Sequence, residues 1–115
     1  MLAHEVLKKA LYDHCLGAGN AAGSVEGTGV LQKIWVDEYL ALLAQAAQTW
    51  GEQPAYPTEV VAAIQSVSIH LTAKYENWHR WTTGVNAETE RLLAQVRAAS
   101  ERFLLARAAR PADTG

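Results

Sequence analysis

Four stretches of the chain repeat apolar residues at helical spacing, and none sustains the alternation of a strand. The predicted helices cover about residues 2–16, 29–50, 58–82 and 87–108. The first places Ala3, Leu7, Ala10, Leu11 and His14 on one side. The third carries Val60, Ile64, Val67, Leu71, Tyr75 and Trp78 in one stripe, and the fourth carries Leu92, Val96, Ala99, Phe103 and Ala106.

The breaks between these stretches have their own chemistry. Residues 17–28 hold five of the small-residue interruptions that suit a flexible loop, Gly17, Gly19, Gly23, Ser24 and Gly27, and each glycine costs a helix about 1 kcal/mol. Thr28 is the expected N-cap of the second helix. Gly51 suits a left-handed C-terminal position, and Pro54 prevents continuation. Thr58 is the expected cap of the third helix, with Glu59 near the positive end of the helix dipole. Thr83, Gly84 and Val85 form a short turn before Asn86, the cap of the fourth helix. A turn this short predicts an antiparallel pairing of helices three and four. The fold expected is all-α, a four-helix up-and-down bundle with a C-terminal helical hairpin. One domain spans residues 1–109, and a frayed tail follows over 110–115.

The second helix departs from the simple pattern. Leu31, Ile34, Trp35, Leu42 and Ala46 make a core face, while Val36, Leu40, Leu43 and Ala47 carry apolar character around the back. A helix apolar on most of its circumference needs burial on more than one side. A second copy of the chain would supply it, so a homodimer through Val36, Leu40, Leu43 and Ala47 is expected. The alternative is cover from the first helix and the glycine-rich loop.

Composition narrows the classes. In 115 residues, half are apolar and 19% are charged, which fits a globular domain. The formal charge of −2 gives no steering toward nucleic acid or anionic lipid. The single cysteine, Cys15, forms no internal disulfide, and no stretch approaches the ~20 apolar residues of a membrane span. Lys8 and Lys9 interrupt the first helix where a signal peptide would be continuously apolar. The sequence reads as soluble and cytoplasmic, without a membrane partner.

Candidate chemistry is sparse. Glu76 and His79 have the Glu-x-x-His spacing of di-iron bundles, but no second copy exists, so no metal is expected. His4, His14, His70 and His79 do not cluster with Cys15 in a zinc-type pattern. His14 and Cys15 are adjacent on a helix and diverge by about 100°, which suits a small buried thiol better than a nucleophile–base pair. The glycines at 17, 19 and 23 follow a helix and precede no Gly-Lys-Ser/Thr, unlike a phosphate loop. Arg91, Arg97, Arg102, Arg107 and Arg110 point in several directions, which argues against a nucleic-acid stripe.

Two features remain. Lys74–Trp81 gathers Tyr75, Trp78, His79 and Trp81 near the end of the third helix. Glu38 falls within the apolar face of the second, where a carboxylate requires a partner or water. If those helices lie side by side, Trp35, Glu38, Tyr39, Trp78, His79 and Trp81 could line one aromatic pocket with a polar anchor. The reading is a non-enzymatic, self-associating interaction protein that needs no cofactor, with a protein partner or a small apolar ligand as candidates. The alternative is a small-molecule-binding bundle, with or without enzymatic activity, and nucleic-acid binding is a distant third.

Overall fold

A computed structural model describes residues 4–16, 20–51 and 56–108, and all five elements are α-helices. They are α1 (His4–Leu16), α2 (Asn20–Thr28), α3 (Lys33–Trp50), α4 (Thr58–Thr82) and α5 (Ala87–Ala108). No helix among the described residues is long and apolar enough to cross a membrane. The expected tail at 110–115 lies outside the described residues.

The largest departure is α2, which occupies most of the stretch expected to be a flexible loop. Its Val25 is fully buried, and Ala21 and Ala22 pack against the core. The helix lies along α4, where Glu26 accepts hydrogen bonds from Lys74 (3.2 Å) and Asn77 (2.8 Å). Tertiary packing therefore outweighs the poor helix propensity of Gly23 and Gly27. Gly29 stops α2: its φ is +71°, and its N–H closes on the Val25 carbonyl at 2.8 Å.

Other boundaries differ in detail from the sequence expectation. Thr28 ends α2, where its hydroxyl donates to the Ser24 carbonyl, so it does not cap α3. Gln32 occupies that N-cap without a side-chain bond, and Pro57 takes the corresponding place before Thr58. Gly51 remains right-handed at φ −61°. Asn86 does cap α5, accepting from the Thr89 N–H at 3.1 Å.

Side-chain pairs fix the register. His4 meets Trp50, and His14 meets Trp35, across α1 and α3. The Leu31 N–H, just before α3, donates to the Thr89 hydroxyl of α5, and Tyr39 of α3 bonds Ser100 of α5. Tyr56 stacks on Phe103, while the Tyr75 hydroxyl donates to Glu90 at 2.7 Å and accepts the Asn86 N–H. α3 packs against α1 and α5, whereas α4 packs against α1, α2 and α5.

Held between two neighbours, α3 needs a wide apolar arc. Trp35, Val36, Tyr39, Leu43, Ala46 and Trp50 form it. The expected faces are accordingly rotated: Ile34 is 65% exposed, while Val36 and Leu43 are buried within the chain. Leu40 is half-buried and Ala47 exposed. The back of this helix is mostly covered by the chain itself, so its apolar circumference does not call for a second copy there.

Candidate functional site

The aromatic residues expected in one pocket divide between two places. α3 and α4 are not a closely packed pair among the described helices; each instead packs against α1 and α5. Trp35 and Glu38 face a groove between α1 and α3, while Trp78, His79 and Trp81 lie at the far end of α4.

In the first place, the rings of His14, Trp35 and Tyr39 lie nearly parallel. Centroids are 4.5 Å apart for His14–Trp35 and 5.4 Å for Trp35–Tyr39. His14 Nε2 donates to the Trp35 carbonyl at 2.9 Å, and Trp35 Nε1 donates to the His14 carbonyl at 3.1 Å. The indole is thus fixed from both ends. Beside it lies an open groove of about 530 Å³ lined by Asp13, His14, Trp35, Glu38, Ala41 and Leu42, among others. Glu38 is exposed on its rim, so water resolves the charge problem its sequence position raised. The signal for His14 was present in its place on the α1 apolar side; its partner Trp35 was not readable.

Tyr39 does not line this groove. It is fully buried and bonds Ser100 at 2.6 Å, while the Ser100 hydroxyl donates to the Val96 carbonyl. Tyr39 is therefore the donor of the pair. Burial raises its phenol well above the ordinary range. Cys15, half-buried nearby, has its thiol pushed up by burial to about 12, so it stays protonated at neutral pH.

The second place centres on Trp78. Its half-buried ring lies so close to Gly29 and Gly84 that a Cβ at either would fall 2.4 Å and 2.9 Å from it. Around it, Val30, Trp81 and Val85 are 40%, 78% and 66% exposed. Trp81 nevertheless has a fixed pose: its Nε1 donates to Asn77 Oδ1 at 3.1 Å, and Asn77 donates onward to Glu26. Lys74, Asn77 and Trp81 share one side of α4, and that side grips α2. The Lys74 and Asn77 bonds hold the Glu26 carboxyl below the ordinary carboxylate range.

His79 points elsewhere. Its Nδ1 donates to the Gly84 carbonyl at 2.5 Å, and its ring lines a hollow of about 330 Å³ between α4 and α5. Glu76, Glu90 and Arg97 line the same hollow. No group of three or more potential metal-binding side chains occurs among the described residues. Comparison with protein-family models, curated proteins and solved structures gives no match.

Proposed function

We propose that the chain is a small helical interaction protein whose tryptophan-bearing end binds another protein surface, a second copy of the chain being its first candidate partner. One observation carries this reading: Trp81 is 78% exposed yet hydrogen-bonded in place, and exposed Val30 and Val85 adjoin the two glycines that touch Trp78 one turn away. An aromatic side chain held rigid before binding loses little conformational freedom on binding, and tryptophan dominates interface energetics. Val36 and Leu43 on the back of α3 are buried within the chain, so this end is the surface for self-association.

The side-chain pairs support a finer architectural reading as well. α1 and α2 together take one position of a four-position up-and-down bundle, and α4 and α5 form its hairpin. That arrangement forms one domain and leaves the α2–α3 and α4–α5 connections together at the tryptophan end. A cytoplasmic setting suits this reading and its single protonated thiol.

Sedimentation at micromolar concentration tests the proposal. The wild-type chain is expected to dimerise, and Trp81→Ser to weaken the dimer by about 2 kcal/mol, roughly thirty-fold in Kd, with helical content unchanged. A wild-type monomer at all concentrations overturns self-association, and an unweakened Trp81→Ser dimer overturns this end as its interface.

A further inference from the structure

The α1–α3 groove has a charge pattern that the proposed interaction end does not use. The seven Asp, Glu and Lys side chains on these two helices are Glu5, Lys8, Lys9 and Asp13 on α1, with Lys33, Asp37 and Glu38 on α3. Six form neighbouring ion pairs: Lys8–Glu5 at 3.0 Å, Lys9–Asp13 at 2.8 Å and Lys33–Asp37 at 2.8 Å. Glu38 alone has no ion pair or hydrogen bond among the described residues, and it lines the groove.

The rest of the lining is chemically different. Ala41 and Leu42 give it apolar surface, and Trp35 supplies an aromatic wall held by two hydrogen bonds to α1. Asp13, already joined to Lys9, adds a second carboxylate on the opposite rim. A volume near 530 Å³ is ample for an organic molecule of modest size. An anion would meet two carboxylates, whereas a cation would pair with Glu38, which only water solvates.

We infer that this groove is a binding site for a small organic cation, an ammonium or amidinium group on an apolar body. The body lies along Trp35, Ala41 and Leu42, and the cationic head meets Glu38. His14 fixes Trp35 and is a positioning residue. The site is independent of the tryptophan end, because the residues that form it are on α1 and the flank of α3.

Three probes with the same body and different heads test it: 4-phenylbutylamine, 4-phenylbutanol and 4-phenylbutyrate. Titration of the full chain is followed by the Trp35 indole N–H resonance in NMR. The amine is expected to bind most tightly, roughly five-fold above the alcohol because the ion pair is solvent-exposed, and the carboxylate most weakly. Glu38→Gln should bring the amine and alcohol together. Ala41→Phe, at an exposed position, should fill the groove and remove all three shifts. No amine binding at millimolar concentration overturns the site. So does an amine preference that survives in Glu38→Gln, or binding that survives in Ala41→Phe.

Discussion

Trp35 and Trp81 are both indoles hydrogen-bonded through Nε1, and they differ in what surrounds the ring. Trp35 is 8% exposed, stacked on His14 and Tyr39, and bonded to a backbone carbonyl of another helix. Trp81 is solvent-exposed and bonded to a side chain one turn earlier in its own helix. A ring enclosed by other elements ties the fold together. A ring fixed only by its own helix contributes little to folding, and its apolar surface remains available for binding.

The largest expected effect separates the two directly. Trp35→Ala removes a buried aromatic and leaves the His14 carbonyl without its indole donor, which should cost about 3–5 kcal/mol in chemical denaturation. The same substitution at Trp81 should stay within about 0.5 kcal/mol. Equal losses at both sites would show that the exposed end is part of the folding core.

That contrast was only half legible in the sequence. Helical spacing put Tyr75 and Trp78 in the stripe of α4 that faces the core, where Tyr75 is buried and Trp78 half-buried, because a long regular helix carries its own angular scale. Periodicity cannot tell which helices become neighbours, and Trp35, Glu38 and Trp78 were joined across a contact between α3 and α4 that does not form closely. It also misjudged α2. Val25, Ala21 and Ala22 have helical spacing, but the four glycines at 17, 19, 23 and 27 dominated the local reading. What α2 packs on is distant in sequence: α4, whose Lys74 and Asn77 bond Glu26, and the core that covers Val25.

Trp78 stands between the two extremes, and Gly29 tests how firmly its ring is held. Gly29→Ala combines a left-handed backbone with a Cβ 2.4 Å from the indole, and should cost about 1–3 kcal/mol before any ring displacement. Gly27→Ala provides the opposite sign. Its Cβ would meet nothing within 4 Å on the helical backbone of α2, so a gain of about 0.4–1 kcal/mol is expected. Thermal denaturation of the two variants compares them directly. A stabilising Gly29→Ala would mean that neither the backbone nor the ring constrains this end.

The smallest effect concerns the network behind Trp81. Lys74 and Asn77 stabilise the ionised form of Glu26, so its carboxyl loses its proton more readily in the folded chain than in the unfolded one. Its contribution is present above the ordinary carboxylate range and disappears as the pH falls through the lowered folded-state value. Because the network is half-buried at the edge of the molecule, the change should be local, a loss of amide protection in α2 while α3 and α5 remain protected. Hydrogen exchange across acid pH reads this directly, and Glu26→Gln should remove the acid-dependent step by deleting the charge. Acid-independent protection of α2 would assign its docking to Val25 and the small apolar residues alone.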